Sequence, residues 1–221
     1  MSLKGKRILI TAGPTWVAID KIRVISNTAT GENGIILAEE LRKQGALVTL
    51  LLGPVNSREL NKKIRLIRFT FFDQLKNTVI KELKRKKYDC LIHSAAVSDY
   101  KPKKTLEIKA GSDKTSWQIN LIPTPKIINL IRETALSIFL VGFKFEPDAS
   151  KKKLLKEARL LQRNTGSNLV VANTFNKRNQ YRAYIIDGGK TQGPFTTKKS
   201  LCLGLVDFLE DCLGKCQSHR T

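Results

Sequence analysis

The residues with the chemistry to bind or activate a ligand fall in a few short, separated segments of this 221-residue chain. The first is RVISNTATGENG, residues 23–34, where Thr28, Thr30, Gly31 and Gly34 open a helical pattern. Unpaired N–H groups and the helix dipole favour a phosphate at such a place, and glycine lets the backbone approach it closely. A threonine that merely caps the helix would explain the same residues without a ligand. Arg23 and Asn27, just ahead, add a guanidinium for an anion and an amide for a polar oxygen. The second segment is HSAAVSDYKPKK, 93–104. Ala95 and Ala96 leave room for a ligand there, and Asp99 either accepts hydrogen bonds from it or caps a turn. VGFKFE (141–146) offers the Phe143 ring to a base or ribose, and VAN (171–173) offers the Asn173 amide as donor and acceptor. His93 lies inside an apolar run and is expected to be a packed core histidine.

Alternating elements must position these groups. Strands are expected at 6–12, 46–53, 64–69, 88–96, 137–143 and 168–173, from their short apolar runs. Helices are expected at 31–44, 72–87, 125–135, 149–164 and 197–213, and a hairpin over 182–195 turning at Gly188-Gly189. This rhythm predicts an α/β, Rossmann-like, doubly wound and mostly parallel sheet with a C-terminal hairpin, as one domain over 1–221. The lysine-rich stretch 98–122 breaks the rhythm and is expected to project as an arm or flap. Ligands of such sheets bind beyond the carboxyl ends of the strands, which directs attention to the loops leaving residues 12, 96, 143 and 173.

Charge and cysteine usage bound the rest. Forty Lys+Arg against 19 Asp+Glu give a formal charge of +21. That balance suits anionic metabolites as well as polyanions. No zinc-finger spacing or aromatic-interleaved basic strand supports specific nucleic-acid recognition, although a basic nucleic-acid-associated protein on an α/β nucleotide fold is the alternative reading. No glycine fingerprint marks a dinucleotide oxidoreductase. No apolar run reaches the roughly 20 residues of a membrane span, and a cytoplasmic protein is expected. Cys90, Cys202, Cys212 and Cys216 are too few for a disulfide scaffold. Cys212, Cys216 and His219 are read as thiols and an imidazole near a terminus rather than a metal site, so no metal ligand is assigned.

Six segments together, ITAGPTWVAID, RVISNTATGENG, IHSAAVSDY, TPKII, VGFKFE and LVVAN, resemble phosphopantothenoylcysteine synthetase (phosphopantothenate–cysteine ligase) in its free-standing form. The resemblance runs over nearly the whole chain. It implies coenzyme A biosynthesis: the carboxylate of 4′-phosphopantothenate is activated as an acyl-nucleotide and condensed with L-cysteine. CTP is favoured over ATP, Mg²⁺ accompanies the triphosphate, no flavin is expected, and the enzyme is a homodimer. Among site residues it implies Asn27 at the acyl carbonyl and Lys109 at the triphosphate as catalytic groups. Ala95, Ala96 and Asp99 line the substrate pocket, and Arg23 reaches the substrate phosphate across a dimer interface. Gly13, Ala29, Gly31 and Gly34 face the nucleotide with Asp99 and Lys109, while Phe143 and Asn173 take its base and sugar. The chain departs from the family at Glu107, Ala29, Leu161 and Thr165, with Lys103 and Lys104 as substitutes in the arm and Lys156, Arg159 and Arg163 near the helix departures.

Overall fold

A computed structural model describes residues 2–56, 59–113 and 115–214. Its first strand, β1 (Arg7–Ala12), is followed by a small hairpin of β2 (Trp16–Ala18) and β3 (Val24–Ser26). Helix α1 (Glu32–Lys43), β4 (Leu47–Leu52), β5 (Arg65–Arg68) and α2 (Phe72–Arg85) come next. Then β6 (Cys90–His93) leads to a two-stranded arm of β7 (Tyr100–Pro102) and β8 (Leu121–Pro123). The chain continues through α3 (Ile127–Thr134), β9 (Phe139–Phe145), α4 (Lys151–Thr165) and β10 (Leu169–Phe175). It closes with β11 (Tyr181–Asp187), β12 (Lys190–Phe195) and α5 (Lys198–Gly214).

The main sheet has eight strands in the order β12-β11-β10-β9-β6-β1-β4-β5. The six strands from β5 to β10 run parallel, and β11 and β12 are added antiparallel as the expected hairpin. Parallel strands carry helices on both faces, so their sequences are apolar on both sides rather than alternating. Ile8, Leu9 and Ile10 are all fully buried for this reason. Ile8 and Ile10 pack into one core with Leu37 and Leu41 of α1 and Leu205 and Leu209 of α5. Leu9 points the other way, into a core with Leu75 and Val79 of α2 and Ile131 of α3. Val170, Ala172 and α4 form a third cluster around Leu154 and Ala158. The chain winds outward from β1 through β4 to β5, then returns beside β1 as β6. That reversal opens a crevice at the carboxyl ends of β1 and β6.

Boundaries shift at informative places. The strand expected over 88–96 stops at His93, and the residues after it stay bonded to the end of β1 and the turn that follows (Ser94 N–H to Thr11 O, 3.0 Å; Ala96 N–H to Gly13 O, 2.9 Å). β9 and β10 run on to Phe145 and Phe175. The stretch 14–26, read as a turn and excursion, contains the β2–β3 hairpin. Stretch 98–122 is not wholly irregular, since β7 and β8 pair near its ends. Cys216 and His219 lie outside the described residues. No described helix is long and apolar enough to cross a membrane.

The open edges are short or broken. β5 has only four residues, two of them Arg65 and Arg68, and β12 carries Lys190, Gly193 and Pro194. Behind the first edge, Glu82 of α2 takes two bonds from the Arg65 guanidinium (2.5 and 3.0 Å) and one from the Tyr88 hydroxyl (2.7 Å). The Arg65 bond pulls the Glu82 carboxyl down to about 2 against the opposing effect of burial, with the Tyr88 bond assisting. A carboxyl lowered in the folded state gives stability that is complete above its ordinary pKa and lost as pH falls toward the lowered one. Glu82→Gln should therefore cost roughly 2 kcal/mol at neutral pH, since Arg65 loses its counter-charge, and should flatten the loss of stability between about pH 4 and pH 2. Urea unfolding of both proteins across that range measures it; parallel acid limbs would refute it.

Candidate functional site

Three glycines set the floor of the crevice. Gly13, directly after β1, has φ +80°, and Gly31, at the N-cap of α1, has φ +71°, a left-handed region that costs other residues strain. The two lie against each other: a Cβ on Gly31 would stand 3.2 Å from Gly13 N. A Cβ on Gly34 would overlap that of Ala12 and lie 3.0 Å from Ser94 Oγ. The opening turn of α1 is thus seated on the end of β1, with no side-chain cap bond at Gly31. The threonine-cap explanation is reduced to one long contact, Glu32 N–H to Thr30 Oγ1 at 3.4 Å.

The β2–β3 hairpin returns Asn27 to the same place. Thr15 is stitched to the loop after β6: its N–H donates to Ala96 O (3.2 Å), and its hydroxyl oxygen accepts from Ser98 N–H (2.9 Å). Asn27 Nδ2 donates to Ala96 O (3.1 Å) and Val97 O (3.3 Å). The Asn27 amide nitrogen is thus engaged with backbone at the strand end, and giving a bond to a ligand would mean exchanging one of these. Beneath the loop, His93 Nδ1 lies 2.8 Å from Thr11 Oγ1. Burial pushes the His93 imidazole down to about 4, so it is neutral at physiological pH, in keeping with a core histidine.

These elements enclose a cleft of about 590 Å³. From the first segments come Gly13, Asn27, Ala29, Gly31 and Gly34, and from the loop after β6 come Ala95, Ala96 and Asp99. Phe143 and Asn173 close the far side. Residues scattered along the chain from Gly13 to Asn173 thus meet at one switch point. The sequence reading missed Glu32, Phe145, Phe175 and Lys198, which also line it. Phe145 and Phe175 follow Phe143 and Asn173 by two, the spacing that puts strand residues on one face, so extending both strands would have found them. The Phe145 and Phe175 rings meet edge to face at 6.3 Å.

Charge is distributed differently from the cationic rim that +21 suggests. Among the described residues, Lys198 is the one cation lining the cleft, beside Glu32 and Asp99. Lys198 Nζ is 2.5 Å from Glu32 Oε2 and 5.8 Å from the Phe175 ring centre. Asp99 is paired with Lys126 (2.6 Å) at the start of α3. Many other lysines lie on α2 and α4 and along the stretch 98–122, away from the cleft. No group of three or more His, Cys, Asp or Glu side chains stands together among the described residues.

The arm is anchored through Asp20. Its carboxylate accepts from the N–H groups of Ile22 (2.8 Å), Arg23 (2.7 Å) and Ala110 (3.1 Å) and from the Arg23 guanidinium (2.6 Å). Burial would raise the carboxyl, but these bonds outweigh it and hold Asp20 far below the usual carboxylate range. Arg23 also stacks on Trp117, 5.2 Å from the ring centre. Arg23 and Lys109 do not line the cleft; Lys109 is exposed in the stretch 98–122, and Lys103 and Lys104 border a separate hollow beside Trp117. Leu161 packs in the α4 cluster and Thr165 bonds Leu161 O (2.8 Å) and Ser167 (2.6 Å), so neither departure lines the cleft. Asp20→Ala should release residues 103–120 from the body. Limited proteolysis should then cut the arm at least several-fold faster with the far-ultraviolet circular dichroism unchanged; equal cutting would show the anchor to be dispensable.

Residues 3–211 match the family model described as DNA/pantothenate metabolism flavoprotein C-terminal domain. The chain is 37% identical over 217 residues to the coenzyme A biosynthesis bifunctional protein CoaBC of Thermococcus kodakarensis, covering 96% of this chain and 53% of that protein. It therefore spans about half the length of that relative. Among solved structures, the DNA/pantothenate metabolism flavoprotein of Streptococcus pneumoniae superposes with a TM-score of 0.84 at 27% identity, over 94% of this chain and all of that one (100%). The C-terminal domain of a CoaBC protein gives 0.79 at 28%, over 96% of this chain and 97% of that one. A mutant Cab2 in complex with phosphopantothenate-cysteine gives 0.73 at 19%, over 94% and 87%, a likeness of fold.

Proposed function

The chain belongs to the DNA/pantothenate metabolism flavoprotein C-terminal domain family, and from this premise we propose that it is a phosphopantothenate–cysteine ligase of coenzyme A biosynthesis. The observation that carries the reading is convergence: five of the six recognised segments, far apart in sequence, line one cleft at the sheet's reversal. The relative from Thermococcus supports the pathway by its name, and the Cab2 complex supports the product.

An amide bond sets the chemical demand. A carboxylate is a poor electrophile until one oxygen becomes a good leaving group. In the first step a carboxylate oxygen of 4′-phosphopantothenate attacks the α-phosphorus of the nucleoside triphosphate, and pyrophosphate leaves. In the second, the L-cysteine amine attacks the acyl carbon, nucleoside monophosphate leaves, and the amine loses a proton. No electrons are transferred, so no flavin is required. No covalent nucleophile of the protein is needed either; positioning and charge stabilisation suffice.

In this reading the α1 opening and Gly13 face the phosphates, and Phe143 with Asn173 takes the base and sugar. Ala95 and Ala96 give the activated chain room beside Asp99. Asn27 holds the acyl carbonyl by turning one amide hydrogen from Val97 O, the longer of its two bonds, toward the substrate. Magnesium fits as an ion carried by the triphosphate: the cleft's carboxylates, Asp99 and Glu32, each already face a lysine, and magnesium keeps most of its waters. It would supply neutralisation of phosphate charge. Arg23 and Lys109 act in the cleft of a second copy, which makes the enzyme a homodimer. The exposed side chains of Ile22, Tyr100, Ile108 and Leu121 around the arm support such a contact.

The test is incubation with phosphopantothenate and Mg²⁺ but no cysteine. CTP should release pyrophosphate and accumulate an acyl-cytidylate, with ATP run in parallel and expected to be the poorer substrate. Absence of pyrophosphate with either nucleotide would overturn the ligase reading. Asn27→Asp puts a negative charge beside the acyl-phosphate and should lower amide formation by at least about 100-fold with the fold intact; normal turnover would remove Asn27 from the mechanism.

A further inference from the structure

We propose that Lys198 is a phosphate-binding residue of the cleft, held in reserve by Glu32 until the nucleotide arrives. The inference rests on the ligase reading for its ligand, a nucleoside triphosphate, and on the cleft's geometry for its residue. A triphosphate entering this cleft meets two carboxylates, Glu32 and Asp99, at close quarters. Lys198 is the single cation lining the cleft among the described residues, at the first position of α5. Its Nζ is 2.5 Å from Glu32 Oε2, and Glu32 is the first residue of α1, whose opening turn has one long side-chain contact, Glu32 N–H to Thr30 Oγ1 at 3.4 Å. Through Glu32 the ammonium is held at the α1 N-terminus, the end of a helix that favours an anion.

Three features suit Lys198 to an exchange of partners rather than a fixed brace. Its side chain is 26% exposed and that of Glu32 52% exposed, so their pair is wet and weak. A lysine is a point charge on a flexible stem, able to move a few ångströms without losing geometry, unlike a forked guanidinium. The Phe175 face, 5.8 Å from Nζ, keeps the ammonium on the cleft side. In the free protein Glu32 neutralises Lys198. When the polyanion binds, the stronger and more concentrated phosphate charge takes the ammonium, and Glu32 turns to solvent.

The experiment compares wild type, Lys198→Ala, Lys198→Arg and Glu32→Gln. Lys198→Ala should raise the nucleotide KM roughly tenfold and weaken inhibition by inorganic pyrophosphate by a similar factor, with the cysteine KM unmoved. Lys198→Arg should recover most of this loss, and Glu32→Gln should lower the nucleotide KM about threefold by releasing the ammonium. A purely structural brace would instead lower thermal stability in both alanine and glutamine variants and leave pyrophosphate inhibition unchanged. An unchanged nucleotide KM in Lys198→Ala overturns the proposal. So does a raised KM with unchanged pyrophosphate inhibition, which would place the contact at base or sugar. If wild type turns over neither CTP nor ATP, the ligase reading falls separately. Calorimetric binding of inorganic tripolyphosphate then decides on Lys198: roughly tenfold weaker binding by the alanine variant supports it, and equal binding overturns it.

Discussion

The close seating of a helix on a strand end is the constraint on which the rest of this molecule depends. The first turn of α1 can rest on the end of β1 only because Gly34 has no Cβ to strike Ala12, and because Gly13 and Gly31 pass each other at backbone distance. That contact fixes where the free N–H groups point and how wide the crevice is. It also requires the chain to leave after Gly13 and come back before α1, which is the task of the β2–β3 hairpin. The hairpin, in turn, is what brings Asn27 to Ala96 and Val97 and Asp20 to the arm. A packing demand at one glycine thereby organises both the cleft and the attachment of the stretch 98–122 beside it.

Electrostatics act locally here rather than through net charge. The two buried or half-buried carboxylates that matter most structurally, Asp20 and Glu82, are each surrounded by donors and anchor segments that have little apolar surface to hold them. The cleft, by contrast, balances two carboxylates with nearby lysines, and nearly all of the positive charge lies outside its lining. A formal charge of +21 thus describes how the protein meets polyanions at long range, and the site depends on a very small number of cations placed at its edge.

The parallel sheet, its helices and the switch point were legible because apolar runs such as ILI and LVTLLL can only be central strands, and the intervening patterns have helical period. The cleft was legible where glycine, small residues and a strand end coincide, at Gly31, Gly34, Ala95, Ala96 and Asp99. Lys198 was not: it belongs to a helix start with no motif, and only the contact between α5 and α1 brings it to Glu32. The hairpin at 16–26 was hidden because each strand has three residues, too few for a period. The bonding of Asn27 was also out of reach, since which way an amide points depends on carbonyls 69 and 70 residues away.

The two lateral borders of the sheet carry a consequence for assembly. At one border stand two arginines on a strand of four residues, and at the other a proline that lacks the N–H a new neighbour would need. Extra strands therefore find poor templates on either flank, and fibrillar stacking is discouraged without any dedicated cover.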